Sequence, residues 1–213
     1  MVLSLSSIII GPASAGNSKQ AAFGQLCNPT PACYDSPESF CGEKPMSVHE
    51  HRERGKKSIR FFIVTVSDTR DESSDTSGQT IRNLLQHNQH EISGYRIVKD
   101  EPQEIESLLT DALAKDDVDA VIVNGGTGIA PRDGTYEVVS RFLEKKLDGF
   151  GEIFRYLSYL EIGSAAIMSR AAAGSAHGKV LISLPGSEAA VKLAMEKLVL
   201  SEIRHMVSQV QGK

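Results

Sequence analysis

The chain has 213 residues, 40% hydrophobic and 23% charged, with a formal net charge of −4. That composition suits a water-soluble globular fold with one substantial core and excludes general affinity for nucleic acid. No apolar run approaches the roughly 18 residues that a membrane span needs, so no membrane partner is expected either.

Residues 1–45 differ from the remainder. They hold Pro12, Pro29, Pro31, Pro37 and Pro45, only two cations (Lys19, Lys44) and all three cysteines. The short run "VLSLSSIII" ahead of "ASA" has the outline of a secretory signal, but no Lys or Arg precedes it and serines dilute it. The expected location is therefore cytoplasmic. Cys27, Cys33 and Cys41 fit no common zinc spacing, and an odd count cannot make a closed disulfide framework. Met46 opens a polar, charged lead-in to the first strand, like a natural start. The expected organisation is a poorly ordered extension over 1–45 and one domain over 46–213.

From Ile59 onward, short β-branched runs alternate with amphipathic ones. "IRFFIVTVSD" (59–68) predicts a buried strand and "DTSGQTIRNLLQH" (75–87) a helix. "YRIVKD" (95–100) predicts a second strand. "EPQEIESLLTDALAK" (101–115) predicts a helix with Pro102 in its first turn. "DAVIVN" (119–124) is a third strand, followed by the glycine-rich "GGTGIAPRD". "TYEVVSRFLEKKL" (135–147) and "FGEIFRYLSYLEIG" (150–163) predict helices, "GKVLISLPGS" (178–187) a last strand, and 188–210 one or two closing helices. This alternation predicts a three-layer α/β/α sandwich with a mostly parallel sheet.

Ligands of such sheets bind beyond the carboxyl ends of the strands. Four stretches lie there: Ser67-Asp68, Lys99-Asp100, Asn124 through Asp133, and Leu184 through Ser187. Gly125, Gly126 and Gly128 allow backbone amides to approach an anion closely, and the helix that follows adds its own unpaired N–H groups. The alternative is a tight strand-to-helix turn with no ligand. Asp100 and Asp133 suit a hard divalent cation that also touches phosphate; as alternatives, Asp133 would cap a helix and Asp100 would form a turn. Arg132 and Arg170 are candidate clamps for an anionic substrate. The dinucleotide fingerprint fails at Pro131, and "GSAHGK" (174–179) fails as a phosphate-binding P-loop, reading instead as a hairpin turn. His87 and His90 read as solvated surface, Met168 and Met195 as core, and no Ser–His–Asp grouping is present.

In this order, "VSDTR", "VKDEPQEI", "NGGTGIAPRDGTYE", "GFGEIFRYLS", "IMSRAAAG" and "LISLPGS" resemble the MoaB/Mog family of molybdenum cofactor biosynthesis proteins, nearer the MoaB branch. The resemblance runs from about Met46 to the C-terminus. It implies a homotrimer or homohexamer that adenylylates molybdopterin with ATP and Mg²⁺, releasing pyrophosphate. It also leaves open a molybdopterin- or nucleotide-binding protein of the same fold without that activity. It implies metal ligation by Asp100 and Asp133. Gly125, Gly126, Thr127, Gly128, Ser67 and Asp68 would line the nucleotide and pterin-phosphate pocket. Ser169, Arg170, Pro185, Gly186 and Ser187 would form the pterin side. Two departures stand out: Val123-Asn124 where the family often has Thr-Thr, which would alter pterin hydrogen bonding, and Tyr136 where it often has Pro, which would alter only the helix start.

Overall fold

The computed structural model describes residues 58–212. The extension expected over 1–45, its cysteines and the lead-in after Met46 lie outside the described residues.

Six strands form one sheet in the order β2-β1-β3-β6-β5-β4. β1 (Arg60–Val66) pairs in parallel with β2 (Glu91–Val98) and β3 (Ala120–Asn124), and β3 pairs in parallel with β6 (Lys179–Leu184). β5 (Ala172–Ala176) runs antiparallel to β6, and the short β4 (Lys145–Lys146) antiparallel to β5. Along β1, Phe61 and Ile63 bury on one face of the sheet while Phe62, Val64 and Val66 bury on the other. A strand covered on both sides reads as a continuous apolar run rather than an alternating one.

The first face is covered by α1 (Thr76–His87), α5 (Glu188–Ala194) and α6 (Leu200–Val210), with Phe154 of α4 (Asp148–Ile162) joining its core. The second is covered by α2 (Pro102–Ala114) and α3 (Thr135–Phe142), through Ile105, Leu109, Val138 and Val139. Each fully buried aliphatic or aromatic side chain contributes about 1.5–3 kcal/mol. The expected three-layer arrangement is present.

The structure corrects several element boundaries. The helix expected over 135–147 ends at Phe142. Leu143 turns into the core, and the chain leaves to pair Lys145 with Ser175 and Lys146 with Gly174. Residue 174 is glycine because a β-carbon there would sit 2.1 Å from the Lys145 carbonyl oxygen. "GSAHGK" is the predicted hairpin, but its first three residues belong to β5. The closing segment is continuous, with a π-helical turn at Met195–Val199 between α5 and α6.

His90 is not surface. It is buried, takes a hydrogen bond from the Ile59 N–H on Nδ1 at 3.2 Å and sets its ring edge-on to Phe61. Met195 is core as expected, but Met168 is 50% exposed on the 3₁₀ segment Gly163–Met168. Among the described residues no helix is long and apolar enough to cross a membrane.

Candidate functional site

The glycine loop leaves β3 at the carboxyl end of the parallel strands. Gly125 and Gly126 have φ of 99° and 61°, a region that costs an L side chain roughly 1–2 kcal/mol. A β-carbon on Gly125 would also lie 2.2 Å from the Val66 carbonyl oxygen, against the end of β1. The Gly125 N–H is used, donating to Leu184 O at 3.1 Å. The N–H groups of Gly126, Thr127 and Gly128 have no acceptor among the described residues. Three adjacent donors are thus left over where the loop bends, the arrangement that binds phosphate.

Asp100 stands next to them. It is buried, and among the described residues its carboxylate accepts one hydrogen bond, from the Gly134 N–H to Oδ1 at 3.3 Å. Its Oδ2 faces Gly126: a β-carbon there would lie 2.5 Å from this oxygen and 2.2 Å from Thr135 Oγ1. Burial pushes the Asp100 carboxyl above the ordinary range. The charges of Asp133 and Asp68 push it further, against the opposing pull of the Gly134 N–H and Arg132. Asp133, at the other end of the loop, accepts the Ala130 N–H on Oδ2 at 2.9 Å and presses the same oxygen against Gly128. It caps its own loop turn rather than a helix. Asp68 accepts the Asp100 N–H at 3.3 Å, and Arg132 bridges Asp68 and Glu101 at 3.0 and 3.1 Å from an exposed position. The two candidate carboxylates therefore border one loop and act on one another.

Arg170 reaches the loop from the far side of the chain. Its Nε donates to Thr127 O at 2.8 Å, Nη2 donates to Gly128 O, and the guanidinium pairs with Glu137. Its cation sits 4.9 Å from the Tyr136 ring centroid. The hydrogen bond from Arg170 holds the Glu137 carboxyl below its usual range. Arg170 is thus already engaged, and what it does is tie down the loop. Tyr136 does more than start a helix: it lies against that guanidinium. Beside the loop opens a cleft of about 440 Å³, lined in part by Pro102, Ile129, Asp133, Gly134, Glu137 and Arg170.

The turn after β6 closes the site on the other side. Gly186 packs against Gly125, a β-carbon on it being 3.0 Å from the Gly125 α-carbon. Its carbonyl accepts from Arg70 at 3.1 Å. Ser187 Oγ is committed to capping α5, accepting the Ala190 N–H at 3.3 Å. Ser67 Oγ is likewise turned into its own loop, accepting from the Thr69 and Arg70 N–H groups. Ser169 caps the 3₁₀ segment through its backbone. These residues shape the rim with their backbones more than with their hydroxyls.

Behind the rim lies a polar network that sequence reading missed. Asp75, the N-cap of α1, accepts from Thr65 at 2.5 Å, Tyr95 at 2.6 Å and the Gly78 N–H at 3.0 Å. Burial alone would raise its pKa, but these bonds together hold it below the ordinary value. Arg70 links Ser77 and Asp75 to Gly186. Asn124 accepts from Ser77 at 2.8 Å and donates to Thr65 Oγ1 and Val64 O. The side chain at position 124 is therefore spent on the scaffold, and the expected change in pterin hydrogen bonding has no free donor there. The available signal was Asp75 followed by Ser77-Gly78, an N-cap pattern ahead of a helix.

Among the described residues no group of three or more His, Cys, Asp or Glu is placed to enclose a metal ion. What the site offers a cation is two carboxylates and, on Thr135, a hydroxyl with no partner among the described residues. Those oxygens fit Mg²⁺, which takes one or two carboxylates and completes its shell with water and substrate phosphates, while the open loop amides suit the phosphates themselves.

Residues 62–205 match the family described as "Probable molybdopterin binding domain". Over 166 residues the chain is 49% identical to Molybdenum cofactor biosynthesis protein B of Halalkalibacterium halodurans, covering 78% of this chain and 98% of that protein. A crystal structure of a Molybdenum cofactor biosynthesis protein B superposes with a TM-score of 0.72 at 48% identity, covering 74% of this chain and 98% of the other. The tungsten cofactor synthesizing protein MoaB from Pyrococcus furiosus gives 0.66 at 37% identity, covering 73% and 99%. With the loop, both aspartates and the closing turn gathered at one end of such a sheet, this chain belongs to the MoaB/Mog family of molybdenum cofactor biosynthesis proteins.

Proposed function

We propose that the chain works in molybdenum cofactor biosynthesis by adenylylating molybdopterin. The terminal phosphate oxygen of molybdopterin attacks the α-phosphorus of ATP, a new P–O bond forms, and the bond to the β-phosphate breaks to release pyrophosphate. Two polyanions must meet, so positioning and charge neutralisation carry the catalysis and no side-chain nucleophile is required. The free N–H groups of Gly126, Thr127 and Gly128 would receive phosphate oxygens. Asp100 and Asp133 would hold Mg²⁺, which supplies the neutralising charge. Arg170 would keep the loop in shape.

The observation that supports this reading best is the pairing of unused loop amides with a buried, thinly bonded carboxylate at Asp100. The test is pyrophosphate release from MgATP and molybdopterin. The wild type is expected to release it, and Asp100→Asn and Asp133→Asn to lose on the order of 10²–10³-fold in rate, the scale for removing one electrostatic element. Near-normal release by both variants removes the metal role. A second reading, ligand binding without adenylylation, is favoured by one observation: Arg132 and Arg170 are both already paired with acids. Binding of molybdopterin with no pyrophosphate release would select it.

The outer face of α4 and its extension exposes Ile153, Tyr156, Tyr159, Leu160 and Ile167, each at least half accessible. A patch of that kind marks an interface. We assign it to contacts between copies in the homotrimer or homohexamer, and sedimentation velocity at micromolar concentration tests this: a monomer at every concentration contradicts it.

A further inference from the structure

Thr135 opens α3, yet its hydroxyl caps nothing. The residue is fully buried, and its Oγ1 has no hydrogen-bond partner among the described residues. A buried hydroxyl left in that state costs about 1–3 kcal/mol relative to a satisfied one. Valine has the same shape and would pack there without that cost, so packing alone does not account for threonine.

Its position is tightly held. The Thr135 N–H donates to Gly126 O at 3.1 Å, fixing the first turn of α3 against the glycine loop. Its Oγ1 and Asp100 Oδ2 both lie within 2.5 Å of the point that a β-carbon on Gly126 would occupy. Asp100 Oδ1 is occupied by the Gly134 N–H, while Oδ2 accepts nothing from the described residues. Two unengaged oxygens, one neutral and one anionic, thus converge on the α-carbon of Gly126, a position at which any β-carbon would collide with both. Ser140 Oγ and Ser183 Oγ, the other partnerless buried hydroxyls among the described residues, approach none of the loop glycines this closely.

We propose that Thr135 Oγ1 is an oxygen donor of the divalent-cation site, beside Asp100 Oδ2; this rests on the cation reading given above. A hydroxyl adds a ligand without a third negative charge, which suits a site that must also accept two phosphorylated substrates. The partnerless state of the hydroxyl is then the cost of keeping a ligand ready in the metal-free protein.

The experiment compares Thr135→Val, Thr135→Ser and Asp100→Asn with the wild type. Binding of Mn²⁺ alone is followed by water-proton relaxation, and metal-free stability by thermal unfolding. Thr135→Val is expected to unfold at the same or a higher temperature while binding Mn²⁺ about tenfold more weakly, the scale for losing one supporting group of a metal site. Thr135→Ser, which keeps the oxygen, should bind nearly as the wild type does. Unchanged Mn²⁺ affinity in Thr135→Val overturns the inference and leaves the cation reading standing. A Val variant that unfolds earlier or fails to fold assigns the hydroxyl to packing and also overturns it. Wild type that takes up no Mn²⁺, or takes it up equally after Asp100→Asn, overturns the cation reading itself.

Discussion

Two aspartates are buried at opposite ends of the parallel strands, and their surroundings differ sharply. Asp119, just before β3, is 1% exposed, and both its oxygens are covered. Oδ2 accepts from the Arg60 N–H at 3.1 Å and Arg60 Nε at 3.0 Å, and Oδ1 from Arg60 Nη2 at 3.0 Å and Gln211 at 3.2 Å. Asp100, after β2, is 7% exposed, and among the described residues its carboxylate holds a single 3.3 Å bond from a backbone N–H. Asp75 resembles Asp119, with Thr65, Arg70, Gly78 and Tyr95 all donating to its carboxylate. A fold that can satisfy buried aspartates twice has left one thinly bonded, and it is the one beside the glycine loop. The comparison separates a carboxylate that knits the amino end of the sheet from one kept ready at the carboxyl end.

The largest effect is expected at the knitted end. Asp119→Ala strips the Arg60 guanidinium and the Arg60 backbone N–H of their shared acceptor. Breaking a buried, hydrogen-bonded pair by removing one partner costs 3–5 kcal/mol when both are enclosed. Arg60 keeps about a third of its side chain in water, so a loss of about 2–4 kcal/mol is expected. Urea denaturation at neutral pH measures it. A loss below about 1 kcal/mol would mean that coverage does not distinguish the two aspartates.

Much of this arrangement was readable beforehand. Three of the four parallel strands announce themselves through apolar runs such as "FFIVTV" and "AVIVN"; β2, expected over 95–100, runs from Glu91 to Val98 because its partly exposed first half, "EISG", carries no apolar run. Each strand end delivers a predicted site residue. The antiparallel edge was not readable. "KK" and "AAGSA" carry no β-branched or aromatic signal, and their pairing depends on the close approach at Gly174. The spacing of Leu143 and Leu147 continues the helical period past Phe142, so periodicity carried the α3 prediction too far. Within the site, acidic residues and glycines could be picked out by position, because their chemistry is local. Partner choice could not. That Arg170 ties to Thr127 and Gly128, Ser187 to its own helix, and Asn124 to Ser77 depends on which groups meet in three dimensions.

The smaller effect, opposite in sign, is expected at Asp100. Burial and the neighbouring acids raise its folded carboxyl above the value it has in the unfolded chain. Between those two values the native state binds more protons than the unfolded state, so stability falls as pH rises through the interval and levels off above it. Asp100 ionised is therefore a liability to the metal-free fold. Asp100→Asn removes that liability, while its side-chain carbonyl still accepts from the Gly134 N–H. The variant is expected to gain on the order of 1 kcal/mol over the wild type at pH 7, the scale of one imperfectly paired buried group. The advantage should be small near pH 4 and open as pH rises. Denaturation of both proteins without metal, from pH 4 to pH 8, reads it, and added Mg²⁺ should narrow the gap by neutralising the wild-type carboxylate. If the wild type instead gains on the variant as pH rises, Asp100 is held as well as Asp119, and the carboxyl end of the sheet is as fully knitted as the amino end.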